Sequence, residues 1–288
     1  MKISLLLVCS FLILGNSYSQ KKEKIKGNKI VISEQRQVEP FHTIHLYDNF
    51  QVALNEDSDN FIDIEADSNL QEYIITDIEN GILKIKSSKN IKRSKALNIK
   101  ISYASEINNI NTYDKVEIKS LSPIKSSNLR IESNDNAEVF LSLETDQLTS
   151  ISNGKSKVEL HTNAVNAFYQ VNENSAIKGI ITSDNLKIDL YQKAYAKLEG
   201  DVKSLSLRAD RDTDFYGEKL STNNASLTAE GASDCYVLII DKITIDAKDK
   251  TEIYLLGETP KVTITTLNDE ATLYKKKINY SPGLLKLK

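Results

Sequence analysis

The chain has 288 residues, with 37 lysines and arginines against 40 aspartates and glutamates, a net charge of −3. Mild acidity with both signs interspersed excludes the basic face of a nucleic-acid binder. Only two cysteines are present, and one lies in the first apolar run, so a disulfide framework and cysteine-based zinc sites are excluded as well.

Residues 1–19 read as a secretory signal peptide. Lys2 starts it, Ile3 to Leu14 form a short apolar run, and Ser17-Tyr18-Ser19 supply the small residues a signal peptidase reads, leaving Gln20 first. The run is too short for a membrane span, and no other stretch approaches the roughly twenty apolar residues of a membrane helix. The expected destination is the periplasm, the outer surface or the extracellular space. Residues 20–37 read as a lysine-rich linker that ends in a first strand, where alternation begins at Ile30-Val31-Ile32.

Residues 38–275 read as one β-solenoid domain, less regular over 38–104 and repetitive over 105–275. In the first part, Val38 to Leu46, Phe50 to Leu54, Phe61 to Ala66 and Ile82 to Lys86 alternate with a period of two, the mark of half-buried strands. Asn69 to Ile74 reads as a helical turn or an extended link. Val38-x-x-Phe41-x-x-Ile44-x-Leu46, Val52-x-Leu54, Ile64-Glu65-Ala66-Asp67-x-Asn69-Leu70 and Gly81-x-Leu83-x-Ile85 resemble the opening of the family described as putative auto-transporter adhesin, head GIN domain. The resemblance covers roughly Val38 to Lys275. It implies a secreted or envelope protein, mostly found in Bacteroidota, with a parallel β-helix-like fold and a role in adhesion. It lends no catalytic residue. The chain departs from the family in having few glycines at its turns, where Asn, Asp and Lys stand instead.

From Val116 onward a column of apolar residues recurs: Val116, Val139, Val158, Ile177, Ala196, Phe215, Cys235, Ile253, Leu273. The spacings run from 18 to 23 and centre on nineteen. A fixed period near twenty is the signature of a solenoid, in which each coil buries its apolar face against its neighbours. Each coil has a first strand of type apolar-x-apolar (Leu129 and Ile131, Leu186 and Ile188, Ile243 and Ile245), a polar turn, and a second strand carrying the column residue. A right-handed coil is expected from the preference of parallel crossovers. Gly200 to Asn224 carries a one-residue insertion. Residues 276–288 lose the pattern and read as a tail or cap.

The residue after each column residue faces outward: Glu117, Phe140, Glu159, Lys178, Lys197, Tyr216, Tyr236, Tyr254, Tyr274. Four tyrosines in consecutive coils would form a ladder roughly 14 Å long. A row of aromatic faces suits the apolar faces of sugar rings or a protein partner; stacked rings also serve simply to stabilise the sheet. Asn134, Asn153 and Asn172 share one turn position and are expected to form an internal amide ladder. Asp210, Asp212 and Asp214 alternate as calcium ligands do, although Phe215 and Ser221 break the calcium-loop pattern and Arg208 and Arg211 offer simpler partners. With Asp189 they would also be the acid/base groups of a polysaccharide-cleaving enzyme. His42 and His45 fall on opposite faces of a strand, and Cys235 sits in the core column.

The expectation is an all-β, parallel β-helix-like solenoid, exported and non-catalytic, that binds a glycan or a surface protein along one face. The alternatives are a polysaccharide lyase or hydrolase on a β-helix, and a structural or envelope-sensing module. No cofactor other than calcium is called for.

Overall fold

A computed structural model describes residues 22–258 and 260–277. The signal-peptide reading and all of the tail beyond residue 277 lie outside the described residues.

The chain opens with β1 (Lys24–Lys26), β2 (Val31–Gln37), β3 (Thr43–Leu46), β4 (Gln51–Glu56) and β5 (Phe61–Asp67). A 3-10 turn at Gln71–Tyr73 leads into β6 (Ile74–Glu79). Then come β7 (Ile82–Ser87), β8 (Asn90–Lys92), β9 (Leu97–Tyr103), β10 (Asn109–Thr112) and β11 (Glu117–Ser120). The long strands follow: β12 (Ile124–Ser133), β13 (Glu138–Ser152), β14 (Lys157–Val171), β15 (Ala176–Gln192), β16 (Tyr195–Arg211), β17 (Asp214–Gly231) and β18 (Asp234–Ala247). The last coil holds β19 (Glu252–Leu256), β20 (Lys261–Leu267) and β21 (Thr272–Lys275).

From β12 to β21 every pairing is parallel, and the nineteen-residue period is the register itself: Val139 pairs with Val158, Val158 with Ile177 and Ile177 with Ala196. The second strand of one coil runs without a break into the first strand of the next, which is why β13 to β17 are so long. Inward positions alternate with outward ones as the pleat requires, so Leu129, Ile131, Val139 and Leu141 are all buried. Cys235 is fully buried between Phe215 and Ile253 of the neighbouring strands, and burial pushes its thiol well above the usual range.

The apolar column runs through Ile118 and not through Val116. Ile118 pairs with Val139 on one side and Val52 on the other. Two extra residues sit where Ser120 gives way to Ile124, at the Leu121–Pro123 loop, and Leu121 is 54% exposed. The step from Val139 back to Ile118 is 21 residues, so the 23-residue step to Val116 overshoots by two. The one-residue insertion expected between Gly200 and Asn224 falls after Tyr216, where the register against β16 shifts.

The first part does not stack in chain order. β3 lies between β7 and β10, and β4 lies between β9 and β11, all parallel. The coil made by β7 and β9 is therefore outermost although it comes later in the chain. Antiparallel strands close it: β5 on β9, β2 on β5 and β6 on β7. Ending the parallel stack with antiparallel hairpins, and leaving charged Glu34 and Arg36 on the edge, blunts an end that would otherwise invite another strand. Of the described part of the linker segment, β2 is thus built into the sheet and β1 is paired to β8. Asp67, itself buried, fixes the closure by accepting backbone N–H bonds from Lys29 (2.8 Å), Lys95 (2.8 Å) and Ala96 (3.2 Å). At the opposite end the last first-strand leaves Val262 and Ile264, both core-type positions, exposed.

The turns explain how the chain manages with few glycines. Asp48, Asp114, Asp135, Gly154, Glu173, Gln192, Arg211, Gly231, Asp249 and Asp269 all have positive φ, between 57° and 79°. They occupy one equivalent corner in successive coils. Aspartate tolerates this conformation because its short carboxylate bonds locally. Here it does so across coils: Asp114 accepts the Asp48 N–H at 2.9 Å, Asp135 that of Asp114 at 3.0 Å, and Asp249 that of Gly231 at 3.0 Å.

Candidate functional site

The outward column beside the core residues carries the tyrosines as expected. Lys197 pairs with Tyr216, Tyr216 with Tyr236, Tyr236 with Tyr254 and Tyr254 with Tyr274. Its upstream member is Lys119, paired with Phe140, and not Glu117, the same overshoot of two positions. Parallel in-register pairing puts equivalent side chains about 4.8 Å apart, and the rings use that spacing. Centroids lie 5.1 Å apart from Tyr216 to Tyr236, 4.3 Å from Tyr236 to Tyr254 and 5.0 Å from Tyr254 to Tyr274, with planes within 17° of parallel.

This geometry corrects one expectation. Each ring face is covered by the next ring, so the stack presents edges and hydroxyls to solvent and not a row of open faces. Tyr216, Tyr236 and Tyr254 are half-buried, and Tyr274, at the end, is 42% exposed. The Lys276 ammonium sits over the Tyr236 ring at 4.4 Å and over Tyr254 at 5.3 Å.

Two further features were not read from sequence. Tyr195 extends the aromatic row, tilted 38° against Tyr216 with centroids 5.5 Å apart. It precedes its core residue, Ala196, so it belongs to the neighbouring outward column, and a one-column search passes over it. That neighbouring column continues as Asp214, Asp234 and Glu252. Carboxylates at strand spacing repel one another. Burial, reinforced by Asp212, raises the Asp214 carboxyl above the usual range. Burial, reinforced by Glu252 and Asp214, does the same to Asp234. The Tyr254 hydroxyl donates to Glu252, and that bond, with burial, raises the Tyr254 phenol.

Asp210, Asp212 and Asp214 are not gathered into a metal site. Arg211, with φ 77°, turns the chain between the first two. Asp210 is in register with Tyr191 and Glu230, whereas Asp214 is in register with Tyr195 and Asp234. Among the described residues no group of three or more His, Cys, Asp or Glu is placed to hold a metal ion. The carboxylates nearest this corner have cationic partners: Asp189 pairs with Lys187 at 3.0 Å, and Glu230 with Lys248 at 2.6 Å and Arg208 at 3.9 Å.

The amide ladder forms as expected. Asn153 Nδ2 donates to Asn134 Oδ1 at 2.9 Å, Asn172 Nδ2 donates to Asn153 Oδ1 at 2.8 Å, and Asn134 Nδ2 reaches the Thr112 carbonyl at 3.4 Å. A second amide bond, Asn185 to Asn166 at 2.8 Å, lies at the other side of the same coils. Both hold coils together.

No curated protein matches the sequence. Several solved structures share the fold, three of them as follows. A putative adhesin from Parabacteroides merdae ATCC 43184 is 17% identical, with a TM-score of 0.57 over 88% of this chain and 98% of that one. A putative adhesin from Parabacteroides distasonis ATCC 8503 is 16% identical, with a TM-score of 0.58 over 88% and 100%. A putative lipid binding protein from the same organism is 17% identical, with a TM-score of 0.56 over 88% and 99%. The family model described as putative auto-transporter adhesin, head GIN domain matches residues 40–180 and 169–259, most of the chain. That span holds β3 to β19 and the turn corners from Asp48 to Asp249, and the chain belongs to this family.

Proposed function

We propose that this protein is an exported, non-catalytic adhesin of the cell envelope that binds a glycan or a surface protein along the face carrying Tyr216, Tyr236, Tyr254 and Tyr274. The observation that carries the reading is the continuity of that face. Stacked, half-buried rings run down consecutive coils, with their hydroxyl edges and a line of carboxylates turned to solvent. Rigid aromatic edges with fixed hydroxyls suit polar recognition, because little side-chain entropy remains to be lost on binding. Adhesin names among the family and its structural neighbours support a binding role over a catalytic one. Export rests on residues 1–19; no helix among the described residues is long and apolar enough to cross a membrane.

A second reading, in which the stack only ties coils together, is favoured by one observation: the 4.3 Å contact of Tyr236 and Tyr254 uses the faces that a sugar would need. Affinity electrophoresis of residues 20–288 against soluble polysaccharides separates the two. The control replaces all four tyrosines by alanine and is checked for folding by circular dichroism. Retardation lost in the folded variant establishes the face as the site. Retardation that survives returns the tyrosines to a structural role.

A further inference from the structure

Upstream of the tyrosine stack the same face opens into a hollow of about 530 Å3. One small side chain creates it. The outward column beside the tyrosines runs Glu138, Lys157, Ala176, Tyr195, Asp214 over successive strands. Ala176 places a methyl group where its neighbours place long side chains. Lys157 and Tyr195 therefore face each other across two strand spacings, about 9.6 Å.

Phe140 and Tyr195 wall the hollow, and Lys155, Lys157 and Lys178 line its rim. Phe140 is 38% exposed, so its ring is open to a ligand in the hollow. Lys178 holds its ammonium 5.6 Å from the Tyr195 centroid. Lys157 is paired with Glu138 at 2.7 Å. Among the described residues, no carboxylate lies within ion-pair distance of Lys155 or Lys178. The lining also holds one carboxylate, Glu159, in register with Lys178, so three ammonium groups against one carboxylate leave a local positive excess in a chain of net charge −3. Farther along the face, Asp214, Asp234 and Glu252 provide the opposite sign. An anionic group is drawn to the hollow and repelled from the stack beyond it.

We propose that the hollow is a subsite for an anionic sugar unit. A carboxylated or sulfated ring would lie with its apolar face against Phe140 or Tyr195 and its acid group at Lys155 and Lys178. Aromatic walls alone would take any sugar; the two unpaired ammonium groups select the charged one, since a neutral ring leaves them unmatched. The inference rests on reading this face as a binding surface, and it names the ligand class for one end of it.

The test is affinity electrophoresis in gels containing polygalacturonate, chondroitin sulfate or neutral dextran. Ala176→Leu fills the hollow, and Lys155→Gln with Lys178→Gln removes its charge; all three positions lie outside the core, and circular dichroism checks both variants. The wild-type chain should be retarded by the acidic polymers and not by dextran, with retardation falling as salt rises. Both variants should bind the acidic polymers at least about tenfold more weakly, a loss of about 1.4 kcal/mol. Absence of retardation by either acidic polymer, or equal retardation of wild type and variants, overturns the proposal. The quadruple tyrosine variant separates the two levels. Binding lost there but unchanged in the hollow variants removes this subsite and leaves the broader reading intact. Binding lost only in the hollow variants keeps the subsite and removes the stack from the site.

Discussion

Tyr236 lies nearly flat against Tyr254, with centroids 4.3 Å apart and planes 7° apart, and Lys276 caps the pair from the last described turn. The contact joins two coils that already share a ladder of backbone hydrogen bonds, so its energy is an addition to the sheet. Aromatic pairs of this kind contribute about 1 kcal/mol beyond the area they bury. A double-mutant cycle with Tyr236→Ala and Tyr254→Ala, read from urea unfolding, should give a coupling of about 1 kcal/mol. Strict additivity would mean that the register alone holds the rings parallel.

Asn153 is the middle of the amide ladder, giving one hydrogen bond to Asn134 and taking one from Asn172. Asn153→Ala breaks both and leaves Asn134 Oδ1 and Asn172 Nδ2 without those partners. The expected loss is about 2 kcal/mol, since unsatisfied polar groups cost more than a hydrogen bond contributes. Asn153→Asp should be worse still, because a carboxylate can accept from Asn172 but cannot donate to Asn134. Equal urea midpoints for the wild type and Asn153→Ala would show that water replaces the ladder at no cost.

Two sets of carboxylates act on stability in opposite directions as pH changes. Burial alone would raise the Asp67 carboxyl, but the N–H groups of Lys29, Lys95 and Ala96 outweigh it and hold the group below its usual range. Its contribution is therefore present above the ordinary aspartate value near 3.9 and is lost as pH falls through the lower folded-state value. Asp214 and Asp234 are raised, by burial first and by neighbouring carboxylates second. The folded state holds their protons more tightly, so their contribution is present below about 3.9 and is lost as pH rises through the raised values. Asp214→Asn with Asp234→Asn should gain stability at neutral pH and lose the decline that begins near that value. Asp67→Asn should be less stable than wild type at neutral pH, with the gap closing in acid. Urea midpoints measured from about pH 3 to about pH 7 would show both; parallel profiles for all three proteins would contradict both assignments.

Much of the solenoid was legible because every coil solves the same problem. Val139, Val158 and Ile177 each fill the same inward position, so the period in the sequence is the register in space. The amide ladder was legible for the same reason. Val116 was misplaced because it is as apolar and as buried as Ile118, two positions on, so alternation alone does not say which of the two stands beside Val139. The order of the N-terminal coils was hidden: alternation marks β3, β4, β7 and β9 as strands but carries no sign that the later pair lies outside the earlier one. Ring orientation was hidden too, since a tyrosine column says nothing about whether faces point to solvent or to one another. Ala176 was passed over because a hollow is made by what a side chain lacks.

Gly231 tests how far the turn corner can be varied. It holds φ 79°, and a Cβ there would lie 2.5 Å from both the Cα and the carbonyl oxygen of Arg211. Arg211, Gln192 and Glu173 keep full side chains at the same corner of preceding coils, with φ of 77°, 70° and 62°. The corner as such therefore tolerates an L-residue, at a cost of about 1–2 kcal/mol each. At Gly231 the added carbon meets backbone, which cannot turn aside as a side chain can. Gly231→Ala should cost about 3 kcal/mol, the conformational penalty plus the clash. Gln192→Gly removes a penalty of the same kind, offset by the entropy of a freer unfolded chain, and should change stability by less than about 1 kcal/mol. Comparable urea midpoints for Gly231→Ala and Gln192→Gly would show that the coils can slide enough to admit the extra carbon, and that the stack is softer than its register implies.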